Sequence, residues 1–245
     1  MRLLVSVRDA EEALAAITGG AEIIDAKEPV LGPLAPVSPG TLQSICEAVP
    51  LSMPLSVALG DAGPSDLVEL VAAVAQLQPR QALYFKAALV SASPQAAAPA
   101  VAAAARVLEA RPDHPAFIVA RYVDAPDDAV DLPDWVDVCA ASGARGLLLD
   151  TSRKKEGNLL ASVDVQDLIA LRRRAARQGV WLALAGGMGI ADVESLGEIR
   201  PHVVGVRGAA CDGSRTGNLS GERVSRLRHA MDLVMARSPA QASLA

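Results

Sequence analysis

Four lysines are the residues of this chain best suited to covalent chemistry. Of the 23 basic residues 19 are arginine, and the lysines are Lys27, Lys86, Lys154 and Lys155. A neutral lysine amine can attack a carbonyl group and form an imine, whereas a guanidinium stays protonated and cannot. All four lysines lie in or just after short apolar segments, and the predicted helices contain none. This placement favours a chemical role for the set, although a single lysine at a strand end often only extends its ammonium group into solvent.

Two aspartates accompany these lysines. Asp25 and Lys27 are two residues apart in an extended segment, so their side chains point to the same side, and Asp150 precedes Lys154 by four residues. Neighbouring cations and burial both lower the pKa of an ammonium group, which favours a nucleophilic amine near pH 7. Asp25 and Asp150 can then orient an ammonium group or move protons during imine formation. A buried ion pair or a turn cap is the alternative role for either aspartate.

Two glycine-containing segments late in the chain suit a phosphate group. They read Ala185-Gly186-Gly187-Met188-Gly189 and Arg207-Gly208-Ala209-Ala210. Barrel enzymes often bind phosphate after their last two strands through backbone N–H groups, and glycine lets the backbone approach the anion. We therefore predict a substrate-phosphate site at Gly186, Gly187, Arg207, Gly208 and Ala209. Ordinary turn formation is the alternative, and a dinucleotide fingerprint is not supported because no third glycine follows in register.

Eight short apolar segments would bring these residues to one end of a barrel. Their first residues are 20 to 35 residues apart, the length of a strand plus a crossover helix. They are apolar throughout, as parallel strands covered on both faces must be. The predicted strands are Leu3–Val7, Ile23–Lys27, Leu55–Gly60, Tyr84–Leu89, Phe117–Tyr122, Gly146–Asp150, Trp181–Gly186 and Val203–Gly208.

This pattern predicts an α/β fold, namely a single-domain TIM (β/α)8 barrel over residues 1–237 with a disordered tail over 238–245. An open, doubly wound sheet is the alternative. In a barrel the lysines approach the carboxyl ends of strands 2, 4 and 6, where barrel enzymes carry their active sites. Pro94 and Pro99 are expected in a loop before the third of five predicted helices, which are Ala10–Ile17, Leu67–Leu77, Ala100–Glu109, Val165–Gln178 and Gly221–Met235.

Composition and charge argue against several other classes of protein. The 245 residues are 51% hydrophobic but only 2% aromatic, so the core must consist mainly of Ala, Val, Leu and Ile. A net charge of −5 argues against a nucleic-acid partner, and the uncharged segment 87–105 is too weakly apolar to span a membrane. No signal peptide is visible, and three widely spaced cysteines fit a cytoplasmic protein. The histidines and the acidic segment from Asp124 to Asp134 lack metal-ligand spacing, so no metal is expected.

Five segments, spread from the first predicted strand to the eighth, carry a resemblance to a known family. They are LLVSV at 3–7, GAEIIDAK at 20–27, LDT at 149–151, LAG at 184–186 and VGVRGAAC at 204–211. Together they resemble the (5-formylfuran-3-yl)methyl phosphate synthases of methanofuran biosynthesis, a family of TIM barrels. Members condense two molecules of glyceraldehyde 3-phosphate into a furan aldehyde phosphate, with loss of phosphate and water. The resemblance implies Lys27 as the Schiff-base lysine and Lys86 as a proton-transfer residue, supported by Asp25, Asp150 and Lys154.

The residues alone lead to a Schiff-base enzyme acting on a phosphorylated carbonyl compound, and the lyase class and the furan product rest on the resemblance. Another class I aldolase or transaldolase would use the same lysine. A barrel holding pyridoxal phosphate on Lys27 would be coloured, and a non-catalytic phosphosugar-binding barrel would tolerate the loss of Lys27. We expect a small phosphorylated triose as the partner and no cofactor. A homo-oligomer is compatible with the sequence, which does not specify the oligomeric state.

Overall fold

The computed structural model describes residues 1–77, 82–125, 131–153 and 157–237, and eight parallel strands within them form a closed barrel. The strands follow one another around the barrel in chain order, and the last pairs with the first. They are β1 (Arg2–Val7), β2 (Ile23–Ala26), β3 (Leu55–Ala62), β4 (Ala82–Leu89), β5 (Ala116–Tyr122), β6 (Gly146–Asp150), β7 (Trp181–Leu184) and β8 (Val203–Val206). The predicted TIM barrel is confirmed, and an open sheet is excluded because β1 pairs with β8.

Helices follow the strands and cover the outside of the barrel. They are α1 (Ala10–Thr18), α2 (Pro39–Ala48), α3 (Leu67–Gln76), α4 (Pro94–Glu109), α5 (Leu132–Ser142), α6 (Leu159–Ser162), α7 (Val165–Arg177), α8 (Val193–Ile199) and α9 (Gly221–Arg237), with short 3₁₀ turns at Ile190–Asp192 and Gly208–Ala210. All five predicted helices are present, whereas α2, α5, α6 and α8 were not predicted. No helix of the described residues combines the length and hydropathy that crossing a membrane requires.

The prediction that Pro94 and Pro99 lie in a loop is wrong. Helix α4 begins at Pro94. Proline is well tolerated at the first helical position, because the N–H group that it lacks would have no partner within the helix. Ser93 caps this helix by accepting a hydrogen bond from the N–H of Ala96 at 3.2 Å. Pro39 starts α2 in the same way after Ser38. Proline therefore marks the starts of α2 and α4, whereas Pro99 lies inside α4, in its second turn.

Apolar side chains form two separate layers. Outward-facing strand residues such as Leu3, Val5 and Phe85 pack against the helices in the larger layer. A smaller layer inside the barrel contains Ala58 and Ala88 among its members. Because many inward-facing side chains are small, they leave space inside the barrel.

Three strands end earlier than predicted, and this affects where the candidate residues lie. Strands β2, β7 and β8 end at Ala26, Leu184 and Val206, so Lys27, Gly186 and Gly208 lie just beyond them. The backbone of Gly186 has a positive φ of 97°, which ends the extended conformation at that point. The assignment of residues 1–237 to one catalytic domain stays a prediction, and the expected tail at 238–245 lies outside the described residues.

Candidate active site

A cavity of about 700 Å³ occupies the carboxyl-terminal end and the interior of the barrel. Residues that follow β2, β7 and β8 surround its mouth together with Asp150 at the end of β6, and residues inside the strands line its depth. Most of the lining is apolar. The polar and charged side chains that line it include Ser6, Lys27, Ser56, Tyr84, Lys86, Asp150, Arg207, Ser214, Arg215 and Thr216. The cavity therefore brings together residues that lie as far apart in the chain as β1 and the segment after β8.

A buried ion pair connects β2 with β4 inside the barrel. The Asp25 Oδ1 atom lies 2.7 Å from the Lys86 Nζ atom, and the Ser6 hydroxyl donates a hydrogen bond to Asp25 Oδ2 at 2.8 Å. Asp25 is fully buried and Lys86 is 4% exposed. The pair reaches past β3, whose small side chain at Ser56 lies opposite Asp25 in the strand register. Ser6 lies opposite Asp25 on the other side, on β1.

The electrostatic surroundings keep Asp25 ionised. Burial by itself raises the pKa of this carboxyl group, but the ammonium groups of Lys86 and Lys27 and the hydrogen bonds from Lys86 and Ser6 outweigh it, so its pKa lies below the ordinary value. Asp25 is therefore a carboxylate at neutral pH. It can accept a proton from a neighbouring group and orient the ammonium group of Lys86.

Lys27 follows β2 directly and lines the cavity. Its backbone N–H donates a hydrogen bond to the carbonyl oxygen of Val7 at 3.0 Å. This bond continues the pairing of β1 and β2 and fixes the backbone from which the Lys27 side chain extends. The side chain is buried, and its ammonium group is close enough to Asp25 to lower the pKa of that carboxyl group. The structure thus brings Lys27, Asp25 and Lys86 close together, and their catalytic roles stay a prediction.

Asp150 is the last residue of β6 and lies in the cavity wall. Its side chain is 1% exposed, and its Oδ1 atom accepts a hydrogen bond from the N–H of Thr151 at 2.8 Å. Thus Asp150 both stabilises the turn that follows β6 and borders the cavity. Lys154 and Lys155, which follow in the same segment, lie outside the described residues, so the predicted role of Lys154 stays a prediction.

Asp124 holds the start of this segment, a role that the sequence analysis missed. Its carboxylate accepts hydrogen bonds from the N–H and the hydroxyl of Ser152, at 2.6 and 3.0 Å, and from the N–H of Arg153 at 2.7 Å. Burial raises the pKa of Asp124, but these hydrogen bonds lower it more, so the net pKa is below the ordinary value. In the sequence, Asp124 was indistinguishable from the other aspartates of an acidic segment.

The Arg207 guanidinium is held by protein groups. It forms a bidentate pair with Glu12, in which Nη1 binds Oε2 and Nη2 lies 3.0 Å from Oε1. Its remaining donors bind the carbonyl oxygens of Ser6, Arg215 and Gly217 at 2.9 to 3.1 Å. Because these bonds engage all five N–H groups of the side chain, Arg207 fixes the segment after β8 against α1 and β1. A phosphate contact at Arg207, as predicted, would have to use its backbone N–H.

The predicted glycine segments lie at the mouth of the cavity. Gly186, Gly187 and Gly208 line it, whereas Ala209 lies next to them in a 3₁₀ turn. Gly186 and Gly187 have φ values of 97° and 72°, and a Cβ atom on Gly186 would lie 2.9 Å from the backbone nitrogen of Thr151. Glycine is therefore required at 186 by the packing of β7 against β6, and phosphate binding by these segments stays a prediction.

Arg215 is a second cavity residue that the sequence analysis missed. It lies in the segment after β8, is half-buried, and donates a hydrogen bond from Nη2 to the carbonyl oxygen of Gly32 at 3.2 Å. Burial lowers its pKa, while the nearby Asp150 carboxylate acts in the opposite direction. No sequence pattern singles out Arg215 among 19 arginines. Over the described ranges, no group of three or more His, Cys, Asp or Glu side chains is arranged to hold a metal ion.

Comparison with known proteins relates nearly the whole chain to one family. The family model described as 4-HFC-P synthase matches residues 3–228. The chain is 35% identical to the (5-formylfuran-3-yl)methyl phosphate synthase of Methanothermobacter thermautotrophicus, over 95% of this chain and 99% of the relative. It is 30% identical to the protein of the same name from Archaeoglobus fulgidus, over 94% and 99%.

Solved structures of lower identity share the fold. A crystal structure of 3-hexulose-6-phosphate synthase superposes with a TM-score of 0.64 at 17% identity, covering 94% of this chain and all of that one. Phosphoribosyl anthranilate isomerase from Thermus thermophilus superposes with a TM-score of 0.61 at 19% identity, covering 97% and 99%. At these identities the likeness concerns the barrel architecture alone.

Proposed function

The chain belongs to the 4-HFC-P synthase family, and from this membership we propose that it condenses two molecules of glyceraldehyde 3-phosphate into (5-formylfuran-3-yl)methyl phosphate for methanofuran-type biosynthesis. Phosphate and water are released, and the reaction proceeds through an imine on Lys27. The observation that carries the proposal is the position of Lys27, which is buried in the cavity wall beside the Asp25–Lys86 ion pair. No cofactor takes part in this scheme.

Lys27 is the nucleophile of this proposal. Its neutral amine attacks the substrate aldehyde, and the resulting carbinolamine loses water to give the imine. The nearby ammonium group of Lys86 favours a neutral amine at Lys27 through charge repulsion. The carboxylate of Asp25 acts in the opposite direction, so the ionisation of Lys27 depends on the balance between these two neighbours.

Lys86 and Asp25 together handle protons. Lys86 gives a proton to the departing hydroxyl group, and Asp25, which stays ionised, holds the Lys86 ammonium group in place at 2.7 Å. The neutral amine left on Lys86 then removes a proton from the carbon next to the imine, and the electron pair of that C–H bond expels the phosphate from the following carbon. The apolar lining of the cavity excludes water from these steps and strengthens the charge interactions within it.

The backbone at Gly186, Gly187, Gly208 and Ala209 is the proposed site for a substrate phosphate. These residues lie at or beside the mouth of the cavity, after the last two strands, where barrels commonly bind phosphate. A crystal soaked in sulfate is expected to show an anion at these loops. An anion found only along the arginine-rich surface of α7 would contradict this part of the proposal.

Incubation of the purified protein with glyceraldehyde 3-phosphate tests the whole proposal. We expect a product with the mass and the ultraviolet absorption of the furan aldehyde phosphate. Borohydride added during turnover should leave a stable adduct on the peptide that contains Lys27, and Lys27→Arg should abolish both signals because a guanidinium forms no imine. An adduct found on Lys86 alone would refute the assignment of the nucleophile. A Lys27 adduct with an aldol product and no furan would favour a class I aldolase.

A further inference from the structure

Two trioses bring two phosphate groups into one cavity if the proposed function is correct, and the present inference rests on that function. The furan product keeps one phosphate and the other is released. The glycine loops are the proposed site for one of the two anions. A second dianion in a cavity with a mostly apolar lining needs a cation with unused hydrogen-bond donors.

Four cationic side chains line the cavity among the described residues, and three of them have other tasks. Lys27 forms the imine, Lys86 is paired with Asp25, and Arg207 has its five donors engaged by Glu12 and backbone carbonyls. The fourth is Arg215. Within the described part of the chain, its guanidinium makes one hydrogen bond, from Nη2 to the carbonyl oxygen of Gly32.

The backbone of Arg215 is held in place by the rest of the site. Its carbonyl oxygen accepts a hydrogen bond from the Nε atom of Arg207 at 2.9 Å, and Arg207 is itself anchored by Glu12. The guanidinium then extends to the segment after β2, which contains Gly32, with Asp150 among its charged neighbours. Arg215 is therefore a positioned cation at the mouth of the cavity, on the side of Lys27.

We propose that Arg215 binds the phosphate of the triose that forms the imine on Lys27, in a subsite for a phosphate monoester at the mouth of the cavity, while the glycine loops hold the phosphate of the other triose. Its planar guanidinium can give two parallel hydrogen bonds to phosphate oxygens while Nη2 keeps its bond to Gly32. The Asp150 carboxylate opposes binding of an anion here, and this repulsion favours release of the phosphate once it has been cleaved. Arg215 thus contributes to specificity for phosphorylated aldehydes.

The test compares a phosphorylated with a non-phosphorylated aldehyde. Rates of borohydride trapping on Lys27 are measured with glyceraldehyde 3-phosphate and with glyceraldehyde, for the wild type, Arg215→Gln and Arg215→Lys. The control is Arg226→Gln, because Arg226 lies on the exposed surface of α9 and contacts Glu222 only at 3.8 Å. Arg215→Gln should lower trapping of the phosphorylated aldehyde by about 10- to 100-fold and leave glyceraldehyde unchanged, since hydrogen bonds to charged groups have this strength.

Arg215→Lys should recover part of this loss because it keeps the charge but not the planar geometry. Equal losses with the two aldehydes would overturn the proposal and make Arg215 a purely structural contact to Gly32. Unchanged trapping in Arg215→Gln would overturn it as well.

Calorimetric titration with inorganic phosphate separates this inference from the proposed function. If the wild type forms no furan or no adduct, the proposed function fails, and the titration still decides the role of Arg215. Weaker phosphate binding by Arg215→Gln than by Arg226→Gln supports the subsite. Equal binding by the two variants refutes it.

Discussion

Substitution of Asp25 by asparagine should destabilise the protein strongly, because it leaves the buried Lys86 ammonium group without its carboxylate. The two atoms of the pair are 2.7 Å apart, and neither side chain is more than 6% exposed. Breaking a buried pair from one side costs about 3–5 kcal/mol, since the remaining charge stays desolvated. For a chain of this size each kcal/mol lowers Tm by about 2–4 °C, so Asp25→Asn should lower Tm by about 6–20 °C.

Thermal unfolding followed by circular dichroism measures this effect, and two further variants test its cause. Asp25→Asn combined with Lys86→Met removes both charges and should recover a large part of the loss. The recovery of Tm should be incomplete, because Lys27 also interacts with the Asp25 carboxylate and still lacks it in the double variant. Asp137→Asn is the matched control. It breaks a 2.5 Å pair with Arg174 whose side chains are 44% and 39% exposed, and it should change Tm little.

The pH dependence gives a second check on the same reasoning. The pKa of Asp25 is lower in the folded protein than in the unfolded chain, so its contribution to stability is complete above the unfolded value of about 3.9 and falls as the pH drops through the folded value. The difference in Tm between wild type and Asp25→Asn should therefore be constant from pH 8 to 5 and shrink below pH 4. A Tm difference no larger than that of Asp137→Asn, or a double variant as unstable as Asp25→Asn, would refute the account.

Two further predictions concern the segment after β6. The sequence predicts that the ammonium group of Lys154 faces the cavity; on that prediction Lys154→Ala should lower kcat/KM by at least about tenfold and shift the pH–rate profile to higher pH, because loss of a nearby cation raises the pKa of Lys27. Lys155→Ala should have little effect, and the reverse result would mean that the assignment is off by one residue. Asp124→Asn should lower kcat/KM several-fold with little change in Tm, because it weakens the hydrogen bonds that position Ser152 and Arg153. A large fall in Tm at unchanged kcat/KM would assign Asp124 a purely structural role.

Much of the fold could be predicted from local patterns. The apolar runs and their spacing identified all eight strands, because a parallel strand covered on both faces has a distinctive composition. Long helices such as α7 and α9 were equally clear. Helices that begin with proline, such as α2 and α4, were missed or shortened, since the same residue that ends a helix can also begin one.

The sequence by itself also predicted at which end of the barrel the candidate catalytic residues meet. The positions of Lys27, Lys86 and Asp150 along the predicted strands were enough for this prediction, because parallel strands in a closed barrel bring all their carboxyl ends together. The two lysines could be singled out because lysine is rare in this chain, whose basic residues are mostly arginine.

Only the tertiary structure decided which of these groups touch. Asp25 pairs with Lys86, 61 residues away, because β2 and β4 face each other across small side chains of β3. Arg207 binds Glu12, which lies 195 residues earlier in the chain, once β8 closes the barrel against β1. That contact engages the Arg207 side chain and holds Arg215 at the mouth of the cavity. Barrel closure and strand register create these contacts, and neither is encoded in the local spacing of residues.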